Sequence, residues 1–119
     1  MAASPALKVK IQIYHGDDIA MGPGKADLLE AIATHGSISA AGRALGMSYR
    51  RCWMLVDVMN RCWADPLVDT TQGGNRGGGA DVTQTGRQVL RLYRAMQQMI
   101  ADQASDEWAA LSSLLRPPR

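Results

Sequence analysis

No stretch of this 119-residue chain is apolar for long enough to cross a membrane, which takes about 20 residues. The opening residues, Met1 to Ala6, have neither the positive charge nor the apolar run of a secretory leader. Cysteine is equally scarce. Cys52 and Cys62 fall within one expected helix, where ten residues separate them by roughly 15 Å, too far for a disulfide. Neither belongs to a Cys-x-x-Cys unit, and His15 and His35 stand at element ends far apart in the chain, so no metal site is expected and both thiols read as core residues. A reducing, cytoplasmic location is the resulting expectation. Carboxylates form no convincing pair and no Ser or Cys has an evident base beside it, so the chain is not expected to be an enzyme or to need a cofactor. The sequence has no internal repeat, and its length fits one domain.

What is present concentrates between Gly36 and Trp53. Small and apolar residues fall there where two helices cross closely around a tight turn, the layout of a DNA-reading helix-turn-helix. Ser37 or Ser39 caps the first helix, Gly42 is small enough for a second helix to approach, and Gly46 supplies the permissive backbone of the turn. Ala41, Leu45, Met47, Cys52 and Leu55 form the expected inner face. Ser48 caps a second helix running to about Trp63, with Cys52, Leu55, Val56, Met59 and Cys62 or Trp63 at core spacing, and its first turn displays Tyr49, Arg50 and Arg51. Arginine and tyrosine are side chains that reach phosphates and base edges. The net charge is only +2, yet residues 36–94 hold eight arginines (43, 50, 51, 61, 76, 87, 91 and 94) against four aspartates (57, 65, 69 and 81). This region is locally basic. Tyr49 packs either on a sugar or thymine methyl or against the helix pair, Asp57 either accepts from cytosine or orients an arginine, and Trp53 and Trp63 are assigned to core or interface.

Elsewhere, Leu7, Val9, Ile11 and Ile13 alternate with Lys8, Lys10 and Gln12, the period of a half-buried strand over 7–13. His15 to Asp18 reads as a turn. A helix with Leu28, Leu29 and Ile32 on one face follows Gly22-Pro-Gly24 and stops near His35-Gly36. Past Asp65-Pro66, residues 67–71 and 80–83 read as two short strands, and the glycine-rich stretch 73–79 between them makes the tip of a hairpin, a wing. Asn75 and Arg76 are its expected contacts with a phosphate or the minor groove. The same stretch lacks the Lys-Ser/Thr ending of a nucleotide-binding P-loop. Thr83 or Thr85 begins a long last helix with Val89, Leu92, Tyr93, Met96, Met99, Ile100 and Gln103 on one stripe, and Ser105-Asp-Glu107 reads as a fresh cap that breaks it before Trp108, Leu111 and Leu115. Beyond Met96 that stripe exceeds what one small domain buries, which points to self-association. The fold expected is mainly α with a small β wing: a winged helix-turn-helix over 6–83, a dimerisation helix or helices over 84–115, and disordered ends at 1–5 and 116–119.

The chain resembles the N-terminal DNA-binding domain of molybdate-dependent transcriptional regulators, themselves similar to the winged helix domains of LysR-type regulators. The matching residues are Gly22-Pro-Gly-Lys25, Gly36-Ser-Ile-Ser39, Gly46-Met-Ser-Tyr-Arg-Arg51, Trp53, Met59-Asn60, Leu67-Val68, Gly73-Gly74, Gly77-Gly-Gly-Ala80, Thr83, Gly86 and Leu92-Tyr93. The resemblance implies a dimer whose recognition helix and wing contact double-stranded DNA, in transcription control. The Ser-Ala-Arg-Asn type motif of that family's oxyanion-binding domains is missing from these residues, so direct molybdate sensing is not implied and the effector stays open. The candidate DNA contacts are Lys25, Ser37, Ser39, Ser48, Tyr49, Arg50, Arg51, Asn75 and Arg76, and the candidate dimerisation residues are Leu92, Tyr93, Met96, Met99, Ile100 and Gln103. Two rival readings are a protein-interaction module on the same scaffold and a stand-alone small-ligand sensor.

Overall fold

Gly16 takes a left-handed φ of 61° between His15 and Asp18, and this tight turn folds strands β1 (Ile13–His15) and β2 (Asp18–Met21) into an antiparallel hairpin. The computed structural model describes residues 4–71 and 79–117. The strand expected over 7–13 is therefore only partly formed. Ile13 pairs with Met21, and there its partner runs out, because Gly22 and Pro23 turn the chain into helix α1 (Pro23–His35). Residues upstream form no strand, with Val9, Ile11 and Ile13 half-buried and Leu7 exposed. In place of strand neighbours, the carbonyls of Val9 and Ile11 accept from Gln97 Nε2 at 2.9 Å and Tyr93 OH at 2.6 Å. β2 was not anticipated in the sequence.

Pro23 suits the first turn of α1, where its missing N–H has no helical partner to lose. Gly36 ends α1 in the left-handed region at φ 75°, its N–H bonded to Ile32 O at 2.8 Å. One residue later helix α2 (Ile38–Leu45) begins. Of the two candidate caps it is Ser37 that serves, its Oγ accepting from Ala40 N at 3.1 Å. Gly46 closes α2 at φ 70°, Met47 N bonds back to Gly42 O at 2.9 Å, and Ser48 Oγ accepts from Arg51 N at 3.1 Å to open helix α3 (Tyr49–Cys62).

The contact between α2 and α3 is as close as the glycine suggested. A Cβ on Gly42 would lie 2.9 Å from Cys52 Sγ and 3.1 Å from Met47 O. Ile38, Ala41 and Cys52 are buried there, while Met47 and Leu55 are only partly covered. Leu45 departs from the expected inner face and is 37% exposed. It is the last residue of α2 and lies at a shallow groove beside Ala31 and Thr34 of α1, past the point where α3 covers the stripe.

Strands β3 (Val68–Thr71) and β4 (Gly79–Val82) pair antiparallel from Val68 opposite Val82 to Thr71 opposite Gly79. Ala80 N bonds to Gly36 O at 2.9 Å, which fixes the base of this hairpin to the α1–α2 corner. Thr83 caps helix α4 (Gln84–Gln103), and a chain break in helicity at Ala104 separates it from helix α5 (Ser105–Ser113). That break comes where Ser105 was expected to cap, but no side-chain cap bond forms, and Asp106 and Glu107 sit in the first turn instead.

The core gathers Met21, Leu28, Leu29, Ile32, Val56, Met59, Leu67 and Tyr93, each essentially without solvent contact. α4 contributes through Gly86, Val89, Leu90 and Tyr93, and a second stripe of the same helix faces out. Leu92, Met96, Met99 and Ile100 on that stripe are exposed. Tyr93, grouped by spacing with the dimerisation residues, instead lies inside the subunit: it is one position off the outer stripe, and its hydroxyl anchors Ile11. No described helix is long and apolar enough to cross a membrane.

Candidate nucleic-acid interface

Capping decides where the first turn of α3 points. Ser48 ties its oxygen to Arg51 N, the buried face is taken by Cys52, Val56 and Met59, and Tyr49, Arg50 and Arg51 are left exposed. Tyr49 is 58% exposed, which resolves its ambiguity: it does not pack into the helix pair. It meets Trp53 edge to face, ring centroids 6.1 Å apart at 77°. Trp53 is itself 39% exposed, so it is not a core residue, unlike Trp63, which is half-buried and donates from Nε1 to Ala20 O at 3.0 Å. Met54, at 59%, continues this outward face.

Ser39 is exposed on α2, and Ser37 and Ser48 already spend an oxygen on capping, which leaves each hydroxyl hydrogen free to donate. Lys25 is half-buried in the first turn of α1. Burial lowers its ammonium pKa, Cys62 and Asp18 pull it back up, and Arg51 pushes it down, so Lys25 and Arg51 share one neighbourhood. Asn75 and Arg76 lie outside the described residues.

Several arginines counted toward the basic region are already engaged. Arg94 donates to Asp27 at 2.8 Å and Glu30 at 2.6 Å, tying α4 to α1; burial works against its charge, but the hydrogen bonds it donates to these carboxylates outweigh it and raise its pKa. Arg61 lies 3.7 Å from both Asp18 and Asp57. Arg87 donates to Val82 O at 3.3 Å. Arg50 and Arg51 form no ion pair among the described residues.

One positioning residue has no signal in hydrophobic periodicity. Asn60, near the end of α3, accepts from Leu67 N at 2.9 Å and Val68 N at 3.0 Å through Oδ1, and donates from Nδ2 to Val68 O at 3.0 Å. It holds the first strand of the hairpin to the arginine-bearing helix. An Asn in the last turn of a helix, just before an Asp-Pro stop, was the available clue. Among the described residues no group of His, Cys, Asp and Glu is arranged to hold a metal. Burial pushes the Cys52 thiol above its ordinary pKa, which keeps it protonated and unreactive.

The chain is 35% identical over 119 positions to the DNA-binding transcriptional dual regulator ModE of Escherichia coli K12, covering 97% of this chain and 44% of that protein. It is 42% identical over 81 residues to the molybdenum-pterin-binding protein MopB of Rhodobacter capsulatus, covering 68% of this chain and 30% of the relative. The chain is homologous to ModE and MopB. It spans less than half the length of either. Among solved structures, the full-length LysR-type regulator LysG of Corynebacterium glutamicum superposes with a TM-score of 0.56 at 23% identity, over 79% of this chain and 30% of that one, a likeness of fold. No family model matches the chain.

Proposed function

We propose that this chain is a winged helix-turn-helix module of a transcription regulator that binds duplex DNA without chemistry, linked to molybdenum metabolism through its ModE-type relatives. The observation that carries the reading is the Ser48 cap over the Gly42–Cys52 contact, which leaves Tyr49, Arg50 and Arg51 exposed together at the mouth of α3. In this reading α3 enters the major groove, Arg50 and Arg51 make base or phosphate contacts, and the β3–β4 hairpin is the wing, with Asn75 and Arg76 against the flanking backbone. Lys25, Ser37, Ser39 and Ser48 add phosphate contacts. The outer stripe of α4, with Leu92, Met96, Met99, Ile100 and Gln103, pairs two copies so that a two-fold symmetric operator is read at half-sites about 34 Å, or a multiple of it, apart.

Selection of bound sequences from a random duplex pool, followed by affinity titration across salt, tests the proposal. Enrichment of an inverted repeat, with affinity falling steeply as salt rises, is expected. No duplex binding at any ionic strength would overturn it. The exposed stripe on α4 also favours a second reading, a protein-interaction module, whose apolar interface would keep its affinity as salt rises.

A further inference from the structure

Beside the arginines lies a cleft of about 160 Å³ with a composition of its own. Tyr49 and Trp53 of α3 form one wall, Ser37 and Ser39 at the start of α2 a second, and Thr70 and Thr71 of β3 a third. Its side chains supply hydroxyls and aromatic surface, and among the described residues no carboxylate lines it. The Trp53 ring N–H meets no acceptor among the described residues, whereas that of Trp63 is bonded. A surface indole beside four hydroxyls is a poor choice for a merely solvated helix face. It is apt for an occupant that is apolar on one side and anionic on the other.

We propose that this cleft seats one sugar–phosphate unit of a bound DNA strand, with Trp53 as the wall for the deoxyribose and its ring N–H, together with the hydroxyls of Ser37, Ser39 and Thr70, as donors to the phosphate; the Thr71 hydroxyl is already donated to Gly79 O at 3.3 Å. The inference rests on the DNA-binding reading above and adds to it a contact that Arg50 and Arg51 do not make. Arg50, exposed three residues before Trp53 and so near the same side of α3, supplies the matching charge beside the aromatic pair. Because every nucleotide carries the same sugar and phosphate, Trp53 contributes affinity and register rather than sequence choice.

Hydroxyl-radical footprinting, which reads burial of individual deoxyriboses, tests the contact directly. The probe is a duplex of about 30 bp selected from a random pool by the wild-type chain, long enough for two half-sites. In each half-site one protected sugar should become accessible with Trp53→Leu while the remaining footprint persists. Affinity should fall about tenfold for selected and random duplexes alike, as truncation of an anchoring Trp generally does. Trp53→Phe, which keeps a ring but loses the N–H, should fall in between, and it stands in if Trp53→Leu does not fold. Unchanged footprint and affinity in the folded variants would overturn the inference. If Arg50→Ala and Arg51→Ala weaken binding while the Trp53 variants do not, this contact alone is wrong; if none of the four matters, the DNA-binding reading falls with it.

Discussion

A Cβ on Gly42 would stand 2.9 Å from the Sγ of Cys52, so the approach of α2 to α3 is set by one missing methyl group opposite one small thiol. Gly42→Ala should therefore cost about 1–3 kcal/mol of stability through overpacking, although alanine is the better helix former. Cys52→Ala in the same chain should recover part of that loss, because the shorter side chain reopens the space; the contact with Met47 O at 3.1 Å keeps the rescue incomplete. Urea denaturation of the two single variants and the double variant measures the coupling. Strict additivity would show that the crossing does not depend on this pair.

A comparable junction joins the hairpin to α4. Thr83 Oγ1 accepts from Gly86 N at 2.9 Å and donates to Pro66 O at 2.7 Å, and a Cβ on Gly86 would collide with Leu67 O. Thr83→Val should cost about 1–2 kcal/mol, the usual loss of a helix cap. Gly86→Ala should cost more, because a backbone carbonyl cannot rotate away as a side chain can. The expected ranking in thermal denaturation is wild type, then Thr83→Val, then Gly86→Ala.

Asn60 holds Leu67 and Val68 with three hydrogen bonds, so Asn60→Ala leaves two amides and a carbonyl without their partner. Unmade bonds of this kind cost about 1–3 kcal/mol for each buried group that water does not reach. Hydrogen exchange should accelerate at the Leu67 and Val68 amides ahead of those in α1. DNA affinity should drop although Asn60 makes no contact with DNA in the proposed mode, because the β3–β4 hairpin loses its tie to α3.

Arg50→Ala or Arg51→Ala should remove about 1–3 kcal/mol of binding to a selected duplex and relax sequence preference wherever the lost side chain met a base. Arg76→Ala should weaken all duplexes alike and lower the slope of log affinity against log salt by about 1. Titrations at three salt concentrations separate the two behaviours. Equal affinity in all three variants would remove these residues from the interface.

Stability should fall as the solution becomes alkaline. Burial raises the Cys52 thiol above its ordinary 9.0 and the Tyr93 phenol above its ordinary 10.0. Between each ordinary value and its raised folded value the unfolded chain holds fewer protons than the native one, so unfolding free energy decreases with pH through that window. Lys25, lowered by burial, acts in the opposite sense, because there the native state is the one that loses its proton first. Urea midpoints measured from pH 7 to pH 11 should decline from about pH 9. Cys52→Ala should delay the onset toward the tyrosine window.

The molecule divides according to how far each structural choice reaches along the chain. Backbone turns and caps were legible from single residues: Gly36 and Gly46 take the left-handed conformations that end their helices, and Ser48 caps its own, because these effects act over three or four neighbouring residues, while the structure chose Thr83 over Thr85 to open α4. The same local chemistry made the exposed Tyr49-Arg50-Arg51 turn readable. Tertiary structure alone decided that Ile13 finds a strand partner while Leu7 does not, that Tyr93 turns inward beside an open apolar stripe, that Arg94 is consumed by Asp27 and Glu30, and that Trp53 stands at the surface. Those outcomes depend on which segments meet after the helices have packed, and nothing in the spacing of neighbouring residues encodes a partner 64 or 82 positions away.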